Sequence, residues 1–345
     1  MIIVIIAGGS GTRLWPLSTN NYPKHLLKIT DKNSLLQNTY DRASRLASDI
    51  YVISEASHIE HVYQQLPELP RQNIIVEPGR RGTASCIIAA LAKIKQHHDD
   101  QEPVVFMHAD HHIRDIFSFT ESLVLAAESS QIHQKIVLLG LVPTRAETGF
   151  GYIQRGDYAN GDHVFDVVNF KEKPDKSTAQ SYLDSGNYLW NMGYFVAPLA
   201  VFEQRIKTHA PHLWENYQKL LAAEHQEAHD QHYLLFPNEP IDTALIEQVP
   251  DLLVVPGSFD WMDVGSYKDM HEVNEVNDSG NTVSGNVLTE KLTNSFVRNE
   301  TDTPVGVIGL DNVAVVVTAD GILVTNKSHS QEVGTIAKKI QGSDS

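Results

Sequence analysis

The 345-residue chain holds a single cysteine, Cys86. One thiol cannot close an internal disulfide or supply a cysteine-based zinc site, and the scarcity suits a reducing, cytoplasmic setting. Basic residues are also in short supply: 27 Lys and Arg stand against 43 Asp and Glu, a net charge of −16. A surface of that sign repels phosphodiester backbones and anionic lipid, so neither nucleic acid nor a membrane is an expected partner. Long apolar runs are missing too. The opening MIIVII is too short for a signal-peptide core and has no basic leader, and no later stretch approaches a membrane span. A polyphosphate ligand would therefore have to be met locally, by a few cations, backbone N–H groups and a divalent ion.

What the chain does have is 41% apolar residues, enough for a packed core, and length for one large α/β domain with a smaller appendage. Short β-branched runs at 2–6, 50–53, 73–77, 104–107 and 136–142 alternate with segments of helical period such as TASCIIAALAKIKQ and FTESLVLAAESS. Strands continuous in apolar residues and separated by helices predict an α/β, Rossmann-like fold with a mixed, mostly parallel sheet. Ligands of such sheets sit beyond the carboxyl ends of the strands. After about residue 148 the pattern loosens. GFGYIQRG and HVFDVVNFKEKP read as strands joined by a turn at Asn160-Gly161, and two or three helical stretches cover 175–250. In the latter, Trp214, Tyr217, Leu220 and Leu221 have core spacing, as Cys86 does in its own helix. The polar run NDSGNTVSGN (277–286) marks a boundary between a domain at 1–276 and one at 281–345. VGVIGL, VAVVVT and ILVTN then predict a small C-terminal β domain, β-helix-like, whose position offers a packing or homodimer surface.

The first run leads into AGGSGTRLWP, with YPK at 22–24. Gly9-Ser10-Gly11-Thr12-Arg13-Leu14 begins like a dinucleotide fingerprint, but Leu14 occupies the third glycine position and removes the close helix packing that the fingerprint needs. No Gly-Lys-Ser/Thr follows, so a Walker loop fails as well. What remains is a loop whose N–H groups can face phosphate oxygens, with Arg13 among them. Asp110 follows the run VVFM at its carboxyl end, where a site is expected. HADHH offers His108, His111 and His112 for zinc, but neighbouring strand residues point to opposite faces, which argues against it.

AGGSGTRLWPLS followed by YPK resembles the signature of the sugar-1-phosphate nucleotidyltransferases, and the WPLS tail is most similar to the mannose-1-phosphate guanylyltransferases among them. Further matches follow in the family's order: VEPGRRGTAS at 76–85, HADHHI at 108–113, TGFGYI at 148–153, FKEKPD at 170–175, WNMGYF at 190–195 and FDWMDVGSY at 259–267. The resemblance implies a nucleotidyltransferase domain at 1–276, GTP and a sugar 1-phosphate as substrates, and Mg²⁺ as cofactor. It places Ala7, Gly8, Gly9, Gly11 and Thr12 on the nucleotide's phosphates. Arg13 would stabilise the leaving pyrophosphate, and Lys24 would neutralise the α-phosphate and the incoming sugar phosphate. Asp110 and Asp263 would hold the metal. Glu77, Pro78, Thr83 and Ala84 would form the base pocket; Gly151, Glu172, Lys173 and Asn191 would take the sugar.

From the residues alone, Asp263 reads equally as the cap of a helix, Asp260 as a partner behind it, and Asn191 as a ligand contact or a buried structural amide. Four departures from the family's usual pattern stand out: Gly82 for asparagine, Ser85 for proline, His25-Leu26 for Gln-Phe, and His108 for a small residue. They touch base and sugar choice and leave Arg13, Lys24, Asp110 and Asp263 alone. The expected reaction is transfer of GMP to mannose 1-phosphate. The alternatives are another base or sugar, such as a heptose 1-phosphate, and a non-catalytic nucleotide-sugar sensor, against which the complete set of charges speaks.

Overall fold

The computed structural model describes residues 1–9, 11–30, 32–159, 163–340 and 342. The expected turn at Asn160-Gly161 lies outside them. Eleven strands carry the first part of the chain: Ile2–Ala7 (β1), Asp49–Glu55 (β2), Ile74–Glu77 (β3), Pro103–His108 (β4), His111–His112 (β5), Val137–Leu141 (β6), Tyr152–Tyr158 (β7), Phe165–Lys171 (β8), Tyr188–Pro198 (β9), Leu253–Gly257 (β10) and Met262–Asp263 (β11). Nine form one sheet in the order β3-β2-β1-β4-β9-β6-β10-β8-β7. Strands β1 to β4 are mutually parallel, as are β6 and β10, whereas β9 opposes both β4 and β6 and β8 opposes β10 and β7. The sheet is thus mixed: the five runs named from the sequence are β1, β2, β3, β4 and β6, which carry most of its parallel pairings, while β9, β8 and β7 bring in the antiparallel ones.

Two apolar layers cover its faces. One packs the helix Gly82–Lys95 and the helices near 199–221 against the even-numbered side chains of β1. The other packs Leu36 and Ala43, with Phe119 and Leu123, against the odd ones. At about 25 cal/mol per Å² of apolar surface, these layers are the dominant favourable contribution to folding.

The 175–250 region departs from the sequence reading. It holds the helices Lys176–Ser185, Leu199–His209, Pro211–Leu221 and Gln226–Leu234, and among them runs β9, an 11-residue central strand. The aromatic stretch YLWNMGYFVAP has no period-2 alternation because both its faces are buried, so it hides among helices. Tyr217 and Leu220 are core residues and Trp214 packs against them, but Leu221 points outward.

From Thr282 onward the strands are Thr282–Ser284 (β12), Val287–Glu290 (β13), Phe296–Asn299 (β14), Val305–Ile308 (β15), Val313–Thr318 (β16) and Gly321–Asn326 (β17), followed by the helix Val333–Ile340. Strands β12, β14 and β16 pair in parallel, β17 closes antiparallel on β16, and β13 pairs in parallel with β15. Among the described residues no helix is long and apolar enough to cross a membrane.

Candidate active site

Pairing of β5 with β11 sets Asp263 opposite His111, and so beside Asp110 in the turn after β4. That turn is tied to β1 by the Ala109 N–H, which donates to the Ile6 carbonyl at 3.0 Å. Lys24 starts a short helical turn after Pro23, and its side chain is buried. Its ammonium lies 2.8 Å from Asp110 Oδ2 and also ion-pairs with Asp263 Oδ1. Three residues far apart in sequence thus meet in one ionic cluster. Gly11 is required for it: at φ 59° a side chain would be strained, and its Cβ would lie 2.6 Å from Lys24 Cβ.

The electrostatics of this cluster are one-sided. Burial opposes ionisation of Asp110 and Asp263, but the Lys24 charge outweighs it, holding Asp110 well below the usual carboxylate range and lowering Asp263 as well. Burial pushes His25 and His111 down to about 3 and lowers His108, so the surrounding imidazoles are uncharged near neutrality. One ammonium against two carboxylates leaves a single uncompensated negative charge. Each carboxylate also keeps a second oxygen that no described group takes.

Beside the cluster opens a cavity of about 620 Å³. Gly8, Gly9, Arg13, Glu77, Thr83, Asp110, Gly151, Glu172, Lys173, Asn191 and Asp263 line it; Ala7, Gly11, Thr12, Lys24, Pro78 and Ala84 do not. A larger groove of about 1010 Å³ between the helix Leu35–Ala43 and β12 is lined by His111 and His112 but by none of the residues expected on the nucleotide, the sugar or Mg²⁺. Arg13 is exposed, in the turn Thr12–Leu14.

At one end of the cavity, Glu77 is buried and its Oε1 accepts from the Cys86 thiol at 2.9 Å and from the Tyr233 hydroxyl. Burial raises its pKa against those two hydrogen bonds. Cys86 is buried as expected, but with a polar role. Thr83 Oγ1 accepts from the Ile241 N–H at 2.9 Å and the Ala84 N–H donates to Glu239, so this helix start clasps the segment 239–241. The clasp accounts for Gly82, whose Cβ would strike the Glu239 backbone.

At the other end, Asn191 on β9 donates from Nδ2 to Asp242 Oδ1 at 2.8 Å and accepts at Oδ1 from the Gly193 N–H at 3.0 Å. Its backbone N–H reaches the Gly151 carbonyl at 2.8 Å. Glu172 pairs with Lys173 and crowds Gly151, whose Cβ would lie 2.5 Å from Glu172 Oε2. Asp242 was not legible as a site residue, since PIDTA reads as an ordinary helix start. Burial, and then the negative charge of Glu172, push its carboxyl up to about 6.

Two readings of the acids need correcting. The helix Tyr267–Val273 is capped by Ser266, not Asp263. Asp260 accepts from the Arg114 and Asp115 N–H groups at 2.9 and 2.8 Å, holding a turn and not the ionic cluster. Nor do His108, His111 and His112 gather as metal ligands: among the described residues the one such cluster is Asp49, His98 and Glu102, outside the cavity lining.

Comparison with known proteins bears on this geometry. Residues 2–279 match the Nucleotidyl transferase family. The chain is 34% identical to the mannose-1-phosphate guanylyltransferase RfbM of Salmonella typhimurium strain LT2, covering 99% of this chain and 72% of that protein. It is 33% identical to the mannose-1-phosphate guanylyltransferase of Escherichia coli K12, over 98% of this chain and 73% of the other. A Thermus thermophilus structure described as a mannose-1-phosphate geranyltransferase superposes with a TM-score of 0.89 at 27% identity, covering 99% of both chains.

Proposed function

We infer the reaction from one premise: the chain belongs to the nucleotidyl transferase family and is an enzyme of that class, acting on a sugar phosphate. Our reading is that it transfers GMP from GTP to mannose 1-phosphate, forming GDP-mannose and pyrophosphate. The observation that carries it is the convergence of Lys24, Asp110 and Asp263 beside a cavity with Arg13 at its edge. A phosphate oxygen of the sugar attacks the α-phosphorus; a new P–O bond forms as the bond to the β-phosphate oxygen breaks. Both reactants are anions, so catalysis consists of neutralising charge and holding the groups in line.

Lys24 meets the α-phosphate and the incoming phosphate, and Arg13, a fixed fork of donors, takes the β and γ oxygens as pyrophosphate leaves. The free oxygens of Asp110 and Asp263 are hard, ionised donors with one negative charge to spare, which fits Mg²⁺. When bound, the ion supplies charge for the phosphate oxygens. Lys24 also keeps the two carboxylates ionised and ready.

For the base, the unclaimed oxygen of Glu77 is an acceptor, suited to the N1–H and N2–H₂ donors of guanine; adenine offers an acceptor at N1. For the sugar, Glu172, Asn191 and the Gly151 backbone line the far end. The names of the two guanylyltransferase relatives support the choice of GTP and mannose. We further read 281–345 as a separate small β domain.

Purified protein with Mg²⁺, each nucleoside triphosphate in turn and a panel of sugar 1-phosphates, heptose included, tests this through pyrophosphate release. Release with GTP and mannose 1-phosphate alone is expected. Release with a different pair reassigns the base or sugar, and none with any pair overturns the reaction.

A further inference from the structure

Among the described residues no carboxylate pairs with Arg13. Its side-chain partner is instead Gln331 Oε1, 3.1 Å from Nη1 and 318 residues away. Two glycines flank the same side chain. A Cβ on Gly334 would lie 3.2 Å from Arg13 Cγ and 3.6 Å from Thr12 Oγ1, and one on Gly265 would lie 3.5 Å from the guanidinium. The arginine therefore runs in a slot cut between two bare stretches of backbone, one of them in the helix Val333–Ile340.

The slot is anchored to the loop on both sides. Leu14, Trp15, Tyr267, Val333 and Ala337 share one apolar cluster. The Tyr267 hydroxyl donates to the Leu14 carbonyl at 2.7 Å, and a Cβ on Gly321 would run into the Trp15 ring. The family match ends at residue 279, so Gln331 and Gly334 lie outside the matched region.

The chemistry of the partner matters. A carboxylate at 331 would compete with phosphate for Arg13, whereas an amide oxygen orients the guanidinium and leaves its full charge available. We propose that the segment Lys327–Ile340 is a positioning element for the triphosphate end of the site, with Gln331 and Gly334 holding Arg13 ready for the departing pyrophosphate. This rests on Arg13 serving those phosphates.

Inorganic pyrophosphate with Mg²⁺ is the probe, because its binding depends on neither base nor sugar. Calorimetric titration of the full chain, Gln331→Ala, Gln331→Glu, Arg13→Ala and the double variant Arg13→Ala/Gln331→Ala forms a double-mutant cycle. Gln331→Ala should weaken pyrophosphate about fivefold, and Gln331→Glu about tenfold or more. In the Arg13→Ala background the loss of Gln331 should add nothing, a result that a merely structural role would not give. In steady-state assays the KM for the triphosphate should rise while that for the sugar phosphate stays put. Unchanged pyrophosphate affinity in Gln331→Ala and Gln331→Glu, or the same loss with and without Arg13, overturns the proposal. So does Arg13→Ala binding pyrophosphate like the parent. Wild-type protein that binds pyrophosphate but turns over no substrate pair would sink the assigned reaction and leave this test standing.

Discussion

The ionic cluster beside the cavity and the Asn191 end of the cavity are built on different principles. In the Lys24 cluster, full charges are locked together: one ammonium, two carboxylates held ionised, and histidines kept neutral by burial. At the Asn191 end, the buried contacts are an amide chain and an acid with its carboxyl raised to about 6, and the ion pair of Glu172 with Lys173 has its lysine out in solvent. The first arrangement suits reacting phosphates, where charge builds up during transfer. The second suits hydroxyl groups, which are bound but do not change. Substitution at the first end should therefore strike turnover, and substitution at the second should strike recognition of one substrate.

Asp110→Asn should break the contrast most severely. It removes one of two ionised donors and leaves Lys24 half-paired, so kcat should fall about 10³-fold, the scale of losing a preorganised electrostatic group at a reacting centre. The fold should persist, since Asn keeps the volume. Pyrophosphate release, with circular dichroism as a control, measures both. Activity within about threefold of the parent would remove Asp110 from the chemistry.

Asn191→Ala is the matching test at the other end. It leaves Asp242 without its donor and the sugar without the amide, so the KM for the sugar 1-phosphate should rise about tenfold, the size of a lost hydrogen bond to a charged group. The KM for GTP should not move. A fall in kcat with both KM values unchanged would show that the two ends are not separate in function.

The same division explains what could be read from the sequence. Arg13, in the loop after β1, and Asp110, in the turn after β4, stood out because such sheets bind ligands beyond their strand ends, whereas Lys24, in a short turn away from any strand, came into view only through the resemblance of the YPK motif. Asp263 was visible as an acid but not as a strand residue, because two residues of β11 carry no periodicity. The far end is assembled from β9, buried on both faces, and from the segment 239–242, which the helix start at Thr83 and Ala84 holds in place. Asp242 and Gln331 become partners of Asn191 and Arg13 only through long-range packing, and no local pattern announces such pairs. The alternation of runs and helices likewise revealed the parallel half of the sheet, while the antiparallel β9 through its centre went unread.

Asp242 gives the smallest expected effect and the most direct test of the sugar end's character. Its carboxyl is raised from 3.8 to about 6, so the folded chain holds this proton more tightly than the unfolded one does. Between about pH 4 and pH 6 the unfolded state gives up the proton first, and stability falls as pH rises through that window. Above it the cost is complete. Asp242→Asn removes the cost while Asn191 can still donate to the new amide oxygen. The variant's Tm should equal the parent's near pH 4 and exceed it at pH 7, by about 2 °C for a chain of this size. A gain present equally at both pH values would mean that Asp242 does not titrate there. If the gain at pH 7 comes with a raised KM for the sugar 1-phosphate, the buried acid is kept for recognition against the interest of stability. That trade is absent at the Lys24 cluster, where the cation proposed to meet the phosphates also stabilises the acids around it.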